Sequence, residues 1–376
     1  MKFGIFNAMH YRGATMARGA AMPPKLFDRA EWQQSLGFNM ELFEIADDLG
    51  FDFVTVAEHH YGTAMTPNPL VAAAAVCQRV KHAKIAVLGP ILPFLNPVRV
   101  AEEFAMVDNL SGGRVIAGFL RGTPHEFITY GANPDESRAK FNEAVELILK
   151  AWTEPEPFGW EGVYYRYRTI AVSPRMVQQP YPRVMVSGNS EESLEFAAQH
   201  RFDIGFSLAN PETCGAHFAR YQAMAAAQSW VPTPDNALYR HQCYVAETDA
   251  KAAEDVARHQ FWGAHGGHEN QAAARAGATA VRNSKELVGA LAAQMGHYAK
   301  TSAIDMTVPP VIGSPETVIK RIAEIARIGQ CGRFDFVFFH GRLPQELACH
   351  SLKLFGREVM PALKAAAAKP LAPAAE

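Results

Sequence analysis

The chain has 376 residues, of which 48% are hydrophobic and 20% are charged. This apolar content supports a substantial core, in one large domain or two ordinary ones, and it excludes a disordered protein. The 36 basic and 38 acidic residues are mixed along the sequence and give a formal net charge of -2. Neither nucleic acid nor an anionic membrane surface is therefore expected as a partner, and a small molecule is favoured.

Cysteine usage and the N-terminus indicate the compartment. The cysteines are odd in number, widely spaced and free of any C-x-x-C pair, so they predict neither a disulfide framework nor a zinc site. The start MKFGIFNAMHYRG lacks the apolar core of a signal peptide, and no apolar run approaches the roughly 18 residues of a membrane span. We therefore expect a cytoplasmic protein.

Short apolar runs typical of buried parallel strands recur along the chain. They are KFGIF near residue 3, FDFVTVA at 51–57, AKIAVLG at 83–89, GRVIAGFL at 113–120, RVMVSG at 183–188, FDIGFSL at 202–208, ALYRHQCYVA at 237–246 and RFDFVFFH at 333–340.

Amphipathic helical patterns separate these runs. NMELFEIADDLG has apolar residues three and four apart with Gly50 expected as its C-cap, and NPLVAAAAVCQRVKH places Pro69 in a first turn. Further patterns are NPVRVAEEFAMVDNLSGG, ESRAKFNEAVELILKAW, SEESLEFAAQH and SPETVIKRIAEIARIG. Eight strands alternating with helices predict an α/β fold, and a closed (β/α)8 TIM barrel is favoured over an open doubly wound sheet. The segment after the first strand also lacks the G-x-G-x-x-G that a dinucleotide-binding sheet would need.

Two segments interrupt the alternation. The stretch 260–307 is rich in Ala, Gly and His, and it is interpreted as a helical insertion with glycine hinges. The stretch 154–183 is rich in proline and aromatic residues, and it is interpreted as a packed excursion. Neither marks a domain boundary, so we expect a single domain over 1–376. His259, His265 and His268 lack an H-E-x-x-H motif or cysteine partners, and no metal site is expected.

A barrel would place its active site at the carboxyl ends of the strands. VTVAEHHYG runs from an apolar strand into His59 and His60, which should point in opposite directions because side chains alternate along a strand. The alternative is one packed and one solvated histidine. Arg121 leaves the fourth strand, where it could reach an anionic or planar ligand or, alternatively, form a surface ion pair. Gly89, Asn189 and Leu208 also follow strands.

VSGNSEESLEFAAQ predicts the start of a helix that could bind an anion. Asn189 or Ser190 can cap the helix, and its free amides with the Ser190 and Ser193 hydroxyls could hold a phosphate. The alternative is an ordinary cap in which Glu192 is the capping-box acid three residues after Asn189. The negative charges of Glu191 and Glu192 weigh against an anion unless they point away.

Together these stretches resemble the bacterial luciferase-like family of flavin-dependent monooxygenases. The resemblance rests on MKFGIF, LGFDFVTVAEHHYG, NPLVAAAAVC, LPFLNPVRVAEEFAMVDNLSGGRVIAGFLRG, VMVSGNSEES and GSPETVIKRI, with a closing LFGREVMPAL. It runs from residue 1 to about residue 363, in the same order as in the family.

The resemblance implies a barrel whose insertion at 260–307 is a mobile lid. It implies that His59 lies beside the reactive edge of the flavin, that Arg121 contacts the flavin, and that Asn189, Ser190 and Ser193 form the phosphate site. A non-proline cis peptide is expected at Leu88–Gly89, under the flavin ring.

Two departures from luciferase itself concern the pocket beside the flavin. Leu208 replaces an aromatic residue of luciferase, and Leu120 replaces a cysteine. Both changes argue against light-emitting aldehyde oxidation.

The function that the resemblance implies is that of an FMN-dependent two-component monooxygenase. A separate NAD(P)H-dependent flavin reductase would supply FMNH2, which reacts with O2 to a C4a-peroxyflavin and inserts one oxygen atom into a small organic substrate. The aromatic residues Tyr61, Phe94, Phe127 and Trp262 suggest an apolar pocket for a ring or a short chain.

Two alternatives remain open, along with the oligomeric state. One is a deazaflavin- or flavin-dependent dehydrogenase of the same superfamily, and the other is a non-catalytic flavin-binding relative. A homodimer is expected, because family members usually pair through the helices beside the second and third strands. The small residues of NPLVAAAAVC permit close helix approach, although packing on the barrel alone would also explain them.

Overall fold

The computed structural model describes residues 1–13, 24–60, 64–122, 126–127, 130–259, 308–339 and 343–368. Eight parallel strands form its centre: β1 Lys2–Phe6, β2 Phe53–Val56, β3 Lys84–Val87, β4 Val115–Phe119, β7 Val184–Ser187, β8 Asp203–Ser207, β9 Ala237–Val245 and β11 Arg333–Val337. Three short strands lie outside this set: β5 Phe158–Glu161, β6 Arg166–Ile170 and β10 Val311–Gly313.

The strands close into a ring. β1 pairs with β2 on one side and with β11 on the other, while β9 joins β11 to β8. The remaining neighbours follow in the order β2, β3, β4, β7 and β8, and every barrel pairing is parallel. The predicted (β/α)8 barrel is therefore confirmed, and each of the predicted apolar runs contains one barrel strand.

Helices cover the outside of the barrel. They are α1 Arg29–Asp48, α2 Pro69–Arg79, α3 Pro97–Ser111, α4 Ser137–Thr153, α5 Glu191–His200, α6 Pro211–Ala226, α7 Asp249–His259, α8 Pro315–Gly329, α9 Gln345–Leu354 and α10 Met360–Ala368, with a π-helical turn at Phe355–Val359. Asn68, Asn96 and Asn210 each cap the helix that begins at the following proline, and the side-chain oxygen accepts a first-turn amide.

The first helix differs at both ends from the prediction. It begins at Arg29, well before the segment NMELF, because the Asp28 carboxylate accepts the amide of Glu31 at 2.8 Å. Its C-cap is Leu49 rather than Gly50. Gly50 is the next residue and takes a left-handed φ of 78°, which is the position where glycine commonly ends a helix.

The excursion at 154–183 contains an antiparallel hairpin that the sequence did not predict. Its strands β5 and β6 alternate between half-buried and exposed residues, so they lack the apolar runs of the barrel strands. Glu143 of α4 fastens the hairpin: its carboxylate accepts the indole N–H of Trp160 at 3.1 Å and the amides of Tyr164 and Tyr165 at 3.0 Å.

The barrel is filled below its mouth by apolar side chains from its own strands. They form one buried cluster, made of Phe53, Ala86, Leu88, Ile116, Met185 and Leu238. Alternation along a strand places these side chains inside and their neighbours against the outer helices. Any ligand site in the barrel therefore lies between this cluster and the carboxyl ends of the strands.

The proposed lid at 260–307 lies outside the described residues, and so do Tyr61, Trp262, His265 and His268. The single-domain organisation stays an expectation. None of the helices in the described ranges is long and apolar enough to cross a bilayer.

Candidate active site

The predicted site residues lie along one continuous part of the barrel rim. His59 follows β2, Leu88–Gly89 follows β3, Arg121 follows β4, Ser190 follows β7 and Leu208 follows β8. These five strands are consecutive neighbours in the barrel. The fold therefore gathers these residues at the carboxyl ends, where barrel enzymes carry their active sites.

The two adjacent histidines have different partners. The backbone N–H of His59 donates to the Thr66 carbonyl at 3.0 Å, and the half-buried imidazole meets the Phe6 ring edge to face, with centroids 6.3 Å apart. His60 Nε2 lies 2.7 Å from Glu58 Oε1, and both of these side chains are buried. The other oxygen of Glu58 accepts the amide of Ile91 at 3.0 Å.

A buried carboxylate thus fixes His60, whereas His59 faces the wall formed by β1. The expectation that the two side chains diverge agrees with these contacts.

An aromatic patch adjoins His60. Tyr130 meets the imidazole edge-on at 5.0 Å and stacks on Phe94 at 5.1 Å, and Phe94 contacts Phe127 at 4.8 Å. Burial, with the charges of Glu58 and Glu126, raises the pKa of the Tyr130 phenol. Phe94 and Phe127 thus belong to one aromatic patch next to the histidines.

The chain passes very close to itself at the ends of β3 and β4. The Leu88–Gly89 peptide is cis, as the resemblance implied. A Cβ added to Gly89 would lie 2.1 Å from the carbonyl oxygen of Gly118, which is backbone and cannot rotate away. Residue 89 is therefore glycine because no side chain fits there.

The start of α5 forms a cradle of hydroxyl groups. Ser190 is the N-cap and its side chain accepts the amide of Ser193, while the two hydroxyl oxygens lie 3.0 Å apart. Glu191 and Glu192 occupy the first turn. The N-terminus of the helix and its hydroxyls fit a bound anion.

Arg138 of α4 completes this cradle, and sequence reasoning missed it. Its Nη2 lies 3.2 Å from the Ser193 hydroxyl and 3.4 Å from that of Ser190. Burial and the neighbouring charge of Arg121 lower the pKa of Arg138 to about 10. Arg121 lines the same cleft as Arg138 and Ser193. Together these groups create a positive site, which we call the anion cradle: Arg121, Arg138, Ser190 and Ser193.

The acid in this region does not play the predicted capping role. Because Ser190 is the cap, the capping box of Asn189 and Glu192 is wrong. The pKa of Glu192 is lowered by its own backbone amide, by the Ser190 hydroxyl and by the charges of Arg138 and Arg121. Asn189 lies just before the cap, and its buried Oδ1 has no partner among the described residues. This amide is thus available to a ligand at the cradle.

Two rim residues adopt a left-handed backbone that side chains disfavour. Leu208 has φ 52° after β8, and Met9 has φ 51° shortly after β1. The amide of Leu208 donates to the carbonyl of Arg240 at 3.0 Å, which holds this conformation in place. Strained positions of this kind often occur at ligand sites.

The cradle suits one end of a larger ligand. Its cleft lies between Arg121, Arg138, Ser193 and the apolar side chains of Phe119, Phe141, Val186 and Phe196, and its volume is about 20 Å³. Pockets that hold a whole drug-sized molecule are far larger, at roughly 300–1,000 Å³. The donors are those that a phosphate prefers, so the residues fit the phosphate of a flavin nucleotide. Within the described ranges no cluster of three or more His, Cys, Asp or Glu side chains could hold a metal ion.

Comparison with known proteins identifies the family. A family model described as luciferase-like monooxygenase matches residues 1–330. The chain belongs to the luciferase-like monooxygenase family.

Two relatives illustrate the similarity in sequence. The chain is 25% identical over 234 residues to the oxygenase component of the flavin-dependent trigonelline monooxygenase of Acinetobacter baylyi, covering 61% of this chain and 64% of that one. It is 30% identical over 202 residues to the alkanal monooxygenase alpha chain of Photorhabdus luminescens, covering 53% and 51%. The chain therefore spans between half and just under two thirds of these relatives.

Two solved structures agree with the fold over nearly the whole chain. Monooxygenase RslO1 from Streptomyces bottropensis superposes with a TM-score of 0.72 and 26% identity, covering 96% of this chain and 99% of that one. The oxygenating constituent of 3,6-diketocamphane monooxygenase of Pseudomonas putida, in complex with FMN, superposes with a TM-score of 0.72 and 20% identity, covering 96% and 98%. The second likeness concerns the fold alone.

Proposed function

We propose that the protein is the oxygenase component of a two-component monooxygenase. It takes reduced FMN from a separate NAD(P)H-dependent reductase and uses O2 to insert one oxygen atom into a small organic substrate. The trigonelline relative is named as an oxygenase component and the diketocamphane neighbour as an oxygenating constituent. These names support the proposal that a separate protein reduces the flavin.

The anion cradle is the observation that carries the proposal. Arg121, Arg138, Ser190 and Ser193 would bind the phosphate of FMN, and the unpartnered amide oxygen of Asn189 would accept a hydroxyl of the ribityl chain. The Leu88–Gly89 backbone and Leu208, which follow β3 and β8 at the same rim, would hold the flavin ring.

Bound reduced FMN supplies the two electrons that convert one atom of O2 to water while the other enters the substrate. His59 would hold or transfer a proton at the reacting oxygen, because imidazole can donate or accept at neutral pH. Its half-buried ring lies against Phe6 at the rim. The patch of Phe94, Phe127 and Tyr130 would exclude water and receive an apolar ring or short chain.

The compartment and the assembly belong to the same proposal. All five cysteines are unpaired, which fits the reducing cytoplasm. A homodimer would form through α2 and α3, because Val71, Met106 and Leu110 expose apolar side chains on these helices.

Titration with four ligands tests the proposal: FMN, anaerobically reduced FMN, riboflavin and a deazaflavin cofactor. Absorbance and flavin fluorescence report binding. The proposal expects reduced FMN to bind and riboflavin to bind much more weakly, because riboflavin lacks the phosphate. Binding of the deazaflavin with no binding of either form of FMN would contradict it and favour the dehydrogenase alternative.

A further inference from the structure

An ion pair inside the barrel involves none of the predicted site residues. Nε and Nη2 of Arg240 donate to Oδ2 of Asp335 at 2.9 and 2.6 Å, and the two residues are register partners on β9 and β11. Asp335 is fully buried, whereas 16% of the Arg240 side chain remains exposed. The third guanidinium nitrogen, Nη1, has no protein partner within the described ranges.

The position of Arg240 in its strand explains where this exposed part points. Leu238 belongs to the cluster that fills the barrel, so Arg240, two residues later on β9, faces the same lumen one level nearer the mouth. Gln242 follows on the same face, 5% exposed, and its Oε1 lacks a partner among the described side chains. The lumen wall at the rim thus offers a free donor and a free acceptor two residues apart.

Arg240 contacts the same aromatic ring as the candidate catalytic histidine. Its guanidinium carbon lies 4.0 Å above the centroid of the Phe6 ring, and the same ring contacts His59 edge to face. Stability alone is a weak reason for such a pair, because replacing a buried ion pair by apolar side chains is often neutral or stabilising. The free edge of the guanidinium is better explained by a ligand.

We propose that Arg240 and Gln242 bind the pyrimidine edge of reduced FMN, with Arg240 at N1 and the C2 carbonyl and Gln242 at N3–H. The inference rests on the proposed function, with the phosphate in the anion cradle and the reactive edge at His59. The reactive atom C4a borders the pyrimidine ring, so a group that shares the Phe6 ring with His59 faces this ring rather than the apolar dimethylbenzene end.

Charge and hydrogen bonding both match this edge. Reduced FMN loses its N1 proton near neutral pH, and the resulting negative charge spreads over N1 and the C2 carbonyl. A planar guanidinium donates to two such acceptors side by side. The cradle lies at β4 and β7, whereas Arg240 and Phe6 lie on β9 and β1, so a ligand that joins them crosses the mouth of the barrel.

The test compares the affinities of oxidised and anaerobically reduced FMN for the full chain and its variants. Arg240→Met should weaken binding of reduced FMN about tenfold more than binding of oxidised FMN, because only the reduced form carries the charge. Gln242→Leu should weaken both forms alike, because N3–H is present in both. Arg79→Met removes a charge from the exposed pair with Glu44 and should leave both affinities unchanged.

A second variant guards against loss of folding in Arg240→Met, which leaves Asp335 without its partner. The double variant Arg240→Gln with Asp335→Asn keeps a hydrogen-bonded pair and removes both charges. Its affinity for reduced FMN should fall more than its affinity for oxidised FMN, by about the same factor as in Arg240→Met. An unchanged ratio of the two affinities in a folded variant overturns the inference. Absence of binding of either form to the unaltered protein overturns the proposed function instead.

Discussion

The guanidinium of Arg138 lies 3.2 Å from the hydroxyl of Ser193, although 55 residues separate them in the sequence. The contact joins α4 to the first turn of α5 and turns an ordinary helix cap into a positively charged cradle. It is the relationship on which the assignment of a phosphate site depends.

Arg138→Met should therefore weaken FMN binding and leave riboflavin binding nearly unchanged. Loss of a charge-assisted hydrogen bond of about 1.5–3 kcal/mol corresponds to roughly 10- to 150-fold in affinity. Fluorescence titration of both ligands measures the effect. Arg99→Met, which removes an exposed charge from α3, is the matched control. Equal losses for FMN and riboflavin would show that Arg138 does not contact the phosphate.

His59→Ala should slow the reaction with oxygen far more than it weakens FMN binding. The imidazole faces Phe6 rather than the cradle, so its removal leaves the phosphate contacts in place. The measurements are the FMN dissociation constant and the rate of substrate-dependent turnover once a substrate is known. His82→Ala, at an exposed position before β3, should change neither. A parallel loss of binding and rate would assign His59 a structural role.

Gly89→Ala should destabilise the fold by about 1–3 kcal/mol or more, because its Cβ would overlap the Gly118 carbonyl. Thermal and urea unfolding measure the change. Gly37→Ala is the control: this residue lies within α1 with open space around it, and the substitution should stabilise by roughly 0.5–1 kcal/mol. A neutral Gly89→Ala would mean that the two strand ends can separate freely.

Asp47→Asn should cost about 1.5–3 kcal/mol of unfolding free energy at neutral pH. Its carboxylate accepts the amides of Lys81, His82 and Ala83 at 2.6–3.0 Å. Although burial raises the pKa of Asp47, these hydrogen bonds hold it below its ordinary value. The stabilisation that the Asp47 carboxylate gives the fold is therefore present above the pKa of about 3.9 in the unfolded chain. It is lost as the pH falls through the lower pKa that Asp47 has in the folded protein.

Denaturant unfolding of Asp47→Asn and of the unaltered chain between neutral and acid pH checks this sign. The difference in unfolding free energy between the variant and the unaltered chain should shrink as the pH drops below roughly 4. Asp48→Asn, at an exposed neighbour, should stay within about 0.5 kcal/mol throughout. A difference that grows on acidification would contradict the account.

Val71→Glu should convert the proposed homodimer to a monomer. Val71 on α2 is 66% exposed, and a buried charge at an interface would be left unpaired. Light scattering during size-exclusion chromatography measures the mass. Val163→Glu places the same change at a 78% exposed position in the turn of the β5–β6 hairpin and should have no effect on the mass. An unaltered protein that is monomeric would refute the dimer itself.

The barrel strands were predictable because buried parallel strands are continuous apolar runs bounded by turns. The β5–β6 hairpin was not predictable in this way, because its strands are half exposed and depend on Glu143 for their anchoring. The choice between Asn189 and Ser190 as the cap needed backbone geometry, since both residue types favour that position.

The parts of the site that the sequence did not predict are the tertiary contacts. Arg138 stands in an ordinary helical pattern, and only the packing of α4 beside α5 brings it to the serines. Arg240 lies within an apolar strand. Its pairing with Asp335 depends on the register between β9 and β11, which the sequence does not reveal. Arg121 and Ser193 line the same cleft, as the phosphate interpretation requires.

Rapid mixing of the protein and anaerobically reduced FMN with oxygenated buffer tests the central claim most directly. The readout is the rate at which the absorbance of oxidised flavin returns. The account predicts a return much slower than for free reduced FMN, because the bound flavin is shielded from water, and a loss of this delay in Arg138→Met. A return at the rate of free flavin, with binding established under the same conditions, would contradict an oxygenase function.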